Sequence, residues 1–521
     1  MRRLPSRHAT ISRVVLGALC ALLLAGSAWS VPTSDAAARY EGVADAFIEQ
    51  LEAAGIPGGA FVTVTTDGTI VTRGVGVTGD GRPVTDDTPF VIGSTTKSFT
   101  ALAVLQLVDA GKVDLDAPVV DYVPELRLPD GEPVRAITVR HPLQHTSGLD
   151  DLAGGPVLAS GREGTALEAI REVSDARLVS TPGETWRYAN VNYVLAGLVV
   201  ERASGLPYPV YVQEAILDPL GMTDTHALTH RSVAPGHRYW FGLPVAHGPV
   251  QRHGVVAAGY LASTARDLGR YLAMHLRDGR ALDGTRIVSA QAVRDLTAPG
   301  PRAHLGPWAG DATARYAMGW MVGGPWEEPA VFHPGNAPDA SAMIALFPER
   351  GLAAATLVPA AHELPVPANP SLTDRISRNT LHAVLGEPVP AATGRWGFYA
   401  LFDLAAAALL AFAGWAVVRA ARARRHAATG LVRRWLPPLP TVFVSAVLAT
   451  LPWLTAYGWG GVWTWAPDLA VLLSVLIALT ASAAGIRILT AARGGSRHGR
   501  TPTGPVGPGS ARASTVGAPA R

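Results

Sequence analysis

The sequence predicts an α/β chain of the α+β kind, in which an antiparallel sheet flanked by helices is followed by three membrane-crossing helices. Residues 38–390 read as strands at both ends and as helices in between, with no internal repeat. Beyond residue 395 the composition turns apolar in three stretches, 397–418, 437–459 and 469–486. Each is near the roughly 20 residues that a helix needs to cross a bilayer.

Taken in order, the chain opens with Arg2, Arg3, Arg7 and Arg13, then an apolar run at 14–25, then the small residues Ala28 and Ser30. This predicts a secretory signal over residues 1–30, cut after Ser30. The only cysteine, Cys20, lies inside that run, so the folded domain has no cysteine for a disulfide, a zinc site or a nucleophile. Residues 60–65 and 69–75 flank Asp67-Gly68, a hairpin signal. Residues 94–110 carry Phe99, Leu102, Ala103, Leu105, Leu107 and Val108 at helical spacing and stop at Gly111. Further helices are expected at 165–177, 192–203, 208–216 and 265–276, and strands at 316–322, 330–333, 342–347 and 352–358. The terminal strands are expected to share one sheet.

In the membrane part, the loop after the first stretch holds Arg419, Arg422, Arg424, Arg425, Arg433 and Arg434, whereas the second loop has only the acid Asp468. The excess of arginine assigns the first loop to the cytoplasm. Residues 31–390 then lie outside, as a signal requires, with the membrane domain at 391–492 and a disordered cytoplasmic tail at 493–521. Trp459, Trp463 and Trp465 fall at the outer interface. Asp403 and Arg487 lie near span ends, where a charge reaches the interface.

Apolar residues make up 48 % of the 521 and charged residues 16 %, low against an average near 25 %. That balance points to a lipid bilayer as partner. The net charge is +3, and no Lys/Arg stripe with interleaved aromatics appears in the middle of the chain, which argues against nucleic acid. His141 and His145, like His226 and His230, are four apart, but Pro142 breaks the first pair and no His-Glu-x-x-His occurs, so no metal is expected. No Gly-x-Ser-x-Gly elbow or nucleotide-binding glycine loop is present, and no cofactor is implied.

Three short motifs carry chemistry. Ser94-Thr-Thr-Lys97 opens the strongest helix, and a spacing of three brings hydroxyl and amine together on one face. Serine needs a base to become a nucleophile, and arginine cannot be that base. Of the 44 basic residues only Lys97 and Lys112 are lysines, so an amine at position 97 is a departure from this chain's habit. Tyr188-Ala-Asn190 precedes the next apolar helix and supplies a phenol that can relay a proton and an amide that can orient the lysine. His333-Pro334-Gly335 lies on a late strand, where glycine lets a substrate approach the backbone.

Together, in this order and setting, the motifs resemble the serine β-lactamase and penicillin-binding protein superfamily, in particular its class C β-lactamase and esterase-like branch. Residues 137–149 (ITVRHPLQHTSGL), 216–222 (ILDPLGM) and 259–268 (GYLASTARDL) also look like that family, so the resemblance covers roughly residues 40–360. It implies a β-lactamase/transpeptidase-like fold and a serine hydrolase. Ser94 would form an acyl-enzyme, with Lys97 and Tyr188 sharing acid/base work and Asn190 holding the site. His333 and Gly335 would line the strand beside it, and the N–H groups of Ser94 and Asn336 would form the oxyanion hole. Within the resemblance, residues 145–148 are a structural turn. Antibiotic-hydrolysing members carry Lys-Thr-Gly where this chain has His-Pro-Gly, which argues against recognition of a substrate carboxylate. The expected substrate is therefore a small-molecule ester or amide, or a cell-wall peptide, with D-Ala-D-Ala carboxypeptidase or D-peptidase activity, β-lactamase activity and silent peptidoglycan binding as alternatives.

Overall fold

The computed structural model describes residues 34–150, 164–227, 232–250, 252–300, 313–361, 371–423, 439–454 and 458–495. The expected signal at 1–30, His230, most of the arginine-rich loop and most of the tail lie outside them.

In chain order the main elements are α1 (Ser34–Ala54), β1 (Gly58–Thr65), β2 (Ile70–Gly76), α2 (Thr96–Asp109) and α3 (Asn190–Ser204). A hairpin follows, β3 (Gly236–Trp240) and β4 (Leu243–His247), then α4 (Ala265–Leu276) and the short strands β5 (Arg315–Tyr316) and β6 (Met321–Gly323). The domain closes with β7 (Ala330–Asn336), β8 (Ser341–Phe347), β9 (Leu352–Val358) and α5 (Leu372–Leu385). The C-terminal part holds α6 (Arg395–Ala423), α7 (Leu439–Thr450), α8 (Gly458–Trp465) and α9 (Pro467–Gly495).

The first and last strands do share one sheet, seven strands in the order β2-β1-β9-β8-β7-β6-β5, with every neighbouring pair antiparallel. β8 is apolar at nearly every position because both its faces are covered. Ala342, Ile344 and Leu346 join the core beneath α2 and α4, whereas Met343, Ala345 and Phe347 join the core beneath α1 and α5. Period-two alternation therefore sorts one strand's side chains between two cores.

Four expectations needed correction. Residues 316–322 form not one strand but β5 and β6, because Ala317 N–H bonds Trp320 O and Gly319 sits at φ +74, where a turn costs glycine little. The helix expected at 165–177 is only Ala166–Arg171, closed at its start by a capping box between Thr165 and Glu168. The helix expected at 208–216 is Tyr208–Val212 followed by a π turn at Gln213–Leu217.

Fourth, among the described residues two helices, not three, are long and apolar enough to cross a membrane: 399–422 and 467–490. The middle stretch is the twelve-residue α7, which gives way to a 3-10 turn at Leu451–Leu454, where Pro452 removes a helical N–H donor. Asp468 at the start of α9 is close enough for its charge to act on Tyr399 near the start of α6, so the two long helices begin at the same end. α7 packs against α9, with Ser445 Oγ–H donating to Thr480 Oγ1 at 2.7 Å. Ala406, Ala413, Leu472 and Leu476 form the shared apolar core.

Candidate active site

Ser94 lies on the 3-10 turn Gly93–Thr95 that feeds α2, a helix buried on nearly every side. Burial explains why α2 lacks a polar stripe, and it makes the buried Lys97 conspicuous. Its Nζ lies 3.1 Å from Ser94 Oγ, 2.8 Å from Asn190 Oδ1 and 2.6 Å from the carbonyl of Ala258. Asn190 is in place because α3 begins there, and Ala258 because the short helix Val256–Gly259 packs along the start of α2. Lys97 Nζ also stands 4.8 Å from the centre of the Tyr188 ring.

The strand β7 closes the site from the other side. Its last four residues have β8 on one edge, but β6 pairs no further along it than Phe332. This free edge meets the nucleophile turn so closely that a Cβ on Gly335 would lie 2.9 Å from Ser94 N and 2.8 Å from Thr95 N. Reciprocally, Gly93, at φ +54, has no room for a side chain against the backbone of Asn336. The N–H groups of Ser94 and Asn336 thus belong to two backbones in contact. All seven residues singled out in the sequence, Ser94, Lys97, Tyr188, Asn190, His333, Gly335 and Asn336, come together here.

His333 is fully buried, and burial first, then the charge of Lys97, pushes its imidazole down to about 3. Its Nδ1 faces the Pro334 carbonyl at 2.6 Å and must donate to it, so Nε2 accepts from Tyr316 Oη–H at 3.1 Å. A neutral ring therefore stands where antibiotic-hydrolysing relatives carry a lysine. Pro334 adds no N–H on the same strand.

Sequence reasoning treated His145 as part of a turn, and the structure makes it a clamp on the Tyr188 loop. In the left-handed region at φ 55, its carbonyl accepts from Arg187 N–H at 2.7 Å and its Nδ1 accepts from Ala189 N–H at 3.3 Å. Asn192 Nδ2 lies 3.2 Å from the same nitrogen, while Asn192 Oδ1 accepts from Ser147 Oγ–H at 2.6 Å. Those contacts leave the proton on Nε2. Burial and then the charge of Lys97 hold the ring well below the ordinary histidine range. The ring packs 4.4 Å from that of Tyr188 and 4.7 Å from that of Tyr316. No group of histidines, acids or cysteines among the described residues is placed to hold a metal ion.

A family model described as Beta-lactamase matches residues 43–375. The chain belongs to the beta-lactamase family. Penicillin-binding protein 4 of Amycolatopsis lactamdurans is 31 % identical over 57 % of this chain and 80 % of its own. Esterase EstB of Burkholderia gladioli is 37 % identical over 38 % of this chain and about half, 53 %, of its own length. Among solved structures, the D-amino acid amidase of Ochrobactrum anthropi complexed with D-phenylalanine superposes with a TM-score of 0.56 at 25 % identity, over 67 % of this chain and 99 % of the amidase. This member of the family is a serine hydrolase with an antiparallel sheet and flanking helices.

Proposed function

We propose that this beta-lactamase family member hydrolyses an ester or amide through an acyl-enzyme at Ser94, on the outer side of a membrane crossed by its C-terminal helices. The observation that carries the reading is the buried Lys97 amine, within hydrogen-bond reach of Ser94 Oγ, Asn190 Oδ1 and the Ala258 carbonyl at once. In its neutral form, reached when the charged amine gives up a proton, Lys97 keeps two N–H bonds for the amide and the carbonyl and turns its lone pair on the serine hydroxyl. As Oγ attacks the substrate carbonyl carbon, the Oγ–H bond breaks and its proton passes to Nζ. The carbonyl π pair moves onto oxygen, where the N–H groups of Ser94 and Asn336 receive the charge. Collapse breaks the bond to the leaving alcohol or amine, which takes the proton from Lys97 with Tyr188 as relay. Water then attacks the acyl group in the same way and restores Ser94.

Neutral His333 brings no charge and Pro334 no N–H, so these two positions offer a substrate carboxylate no anchor. Esters and amides therefore rank first, D-peptides second and β-lactams third. An esterase and a D-amino acid amidase among the related proteins support that order. A panel of p-nitrophenyl esters, D-Ala peptides and nitrocefin tests it. Ester turnover well above nitrocefin turnover is expected, and dominant nitrocefin turnover would reverse the ranking.

For the topology, residues 31–390 are assigned outside, 391–492 to the membrane and 493–521 inside. The common starting end of α6 and α9 supports a return leg between them, because a chain that runs the same way twice must come back in between, and the stretch that begins with α7 supplies it although its helix is too short to count as a span.

A further inference from the structure

We propose that the β3–β4 hairpin is a lipid-contacting element: Leu243 and Val245 enter the headgroup region beside the start of α6, and the ribbon ties the β7–β8 turn to that surface. The proposal rests on the membrane reading above.

The hairpin turns at Phe241-Gly242, both with positive φ, 49 and 74. A two-residue turn of this kind ordinarily takes Asn-Gly, and a phenylalanine held in the left-handed region costs on the order of 1–3 kcal/mol. Contacts with the C-terminal helices hold it there. The Phe241 ring lies 6.2 Å from that of Phe402 on α6, and β3 packs against α9. A Cβ on Gly242 would sit 3.1 Å from the Trp396 ring and 3.2 Å from Tyr399. One strand back, Tyr239 stacks on Tyr399 at 5.6 Å. The tip is thus seated on the first turns of both long helices.

The seating leaves a particular surface uncovered. Leu243 and Val245 share one face of β4 and are 52 % and 46 % exposed. Leu243 follows the glycine that packs on Trp396, itself 51 % exposed, and α6 continues with exposed Leu401 and Leu404. A tryptophan at a helix start that runs on into exposed leucine marks a membrane interface, and the strand extends that apolar surface sideways. Lipid is the occupant that matches both.

At its other end the ribbon is fastened beside the active site. His237 N–H donates to Asp339 O at 3.1 Å and Arg238 Nε–H to Pro338 O at 3.2 Å. Pro338 and Asp339 lie in the turn between β7 and β8, two and three residues after Asn336. Arg238 pairs with Val245 across the ribbon, so Asn336, two residues before Pro338, is held close to the lipid surface, within reach of a membrane-tethered ester or amide.

The test uses full-length protein with Cys20→Ser, carrying one introduced cysteine at a time (Leu243→Cys, Val245→Cys, Leu404→Cys or Leu282→Cys). Each is labelled with bimane, checked for ester hydrolysis in detergent as a sign of folding, and reconstituted into phosphatidylcholine vesicles. Labels at 243 and 245 are expected to be quenched by a shallow doxyl lipid and at least threefold less by aqueous iodide than the label at 282. If they respond to iodide as the 282 label does, while the 404 label is quenched by lipid, the hairpin proposal fails and the spans stand. If the 404 label is not quenched by lipid, the membrane reading fails and takes the hairpin proposal with it.

Discussion

Replacing Gly335 with alanine isolates the contact between β7 and the nucleophile turn, because it adds one methyl group and no chemistry. That methyl would stand 2.9 Å from Ser94 N and 2.8 Å from Thr95 N, and it would also press on the Ile92 carbonyl. Ile92 and the turn cannot yield easily, since Ile92 N–H is bonded to Leu261 O at 3.0 Å and Thr95 Oγ1–H to Ile92 O at 2.8 Å. β7 must retreat instead, against its ladder with β8, in which Gly335 faces Ala342. Overpacking of this kind costs about 1–3 kcal/mol in stability. The larger effect falls on catalysis, because the retreat carries the Asn336 N–H away from the developing oxyanion, and loss of one such donor lowers kcat by about 10²–10³. Steady-state hydrolysis of a p-nitrophenyl ester by full-length protein in detergent reads kcat, and thermal melting reads the stability cost. Gly248→Ala is the control, since a Cβ there meets nothing within 4 Å. A Gly335→Ala enzyme with kcat within threefold of wild type would refute the assignment of that N–H to the oxyanion.

Lys97→Met removes the amine while filling most of its volume, and kcat should fall by about 10²–10⁴, the usual contribution of a positioned base; near-normal turnover would exclude Lys97 from proton transfer. His275 is buried with no partner on either ring nitrogen among the described residues, and burial pushes it down to about 3. Its folded form stays neutral while the unfolded chain takes up a proton below about 6.5, so stability present above that pH is lost as pH falls. At pH 5 the loss is about 2 kcal/mol relative to pH 7.5. His275→Leu should narrow the gap between the melting midpoints at the two pH values, and an unchanged gap would contradict the cause given. Gly42 lies exposed inside α1 with open space at its Cβ, so Gly42→Ala should stabilise by about 0.5–1 kcal/mol in denaturant melts at unchanged kcat.

What the sequence made legible was chemistry carried by local pattern. Ser94 and Lys97 stand three apart on one helix, and the scarcity of lysine marked the second as unusual before any contact was known. The terminal strands were legible because their apolar runs are long and their turns carry glycine. His145 was not, because its role comes from Asn192 and the loop before α3, more than 40 residues away, and a histidine in a turn has no distinguishing pattern. The β3–β4 hairpin was hidden by Phe-Gly at its turn and by Pro244 in its second strand, neither of which announces a hairpin. α5 did carry a signal that went unused, Ser371 three residues before Asp374, whose N–H the serine side chain accepts at 3.1 Å. The interruption after α7 was also written in the sequence as Pro452, outweighed by the hydropathy of its surroundings.

The most direct measurement is the intact mass of full-length protein after exposure to a fluorophosphonate probe, with peptide mapping of the adduct. Wild type should gain one adduct, located on Ser94, and Ser94→Ala should gain none. Wild type labelled no more than Ser94→Ala, or an adduct on another serine, would contradict the nucleophile assignment and the acyl-enzyme built on it.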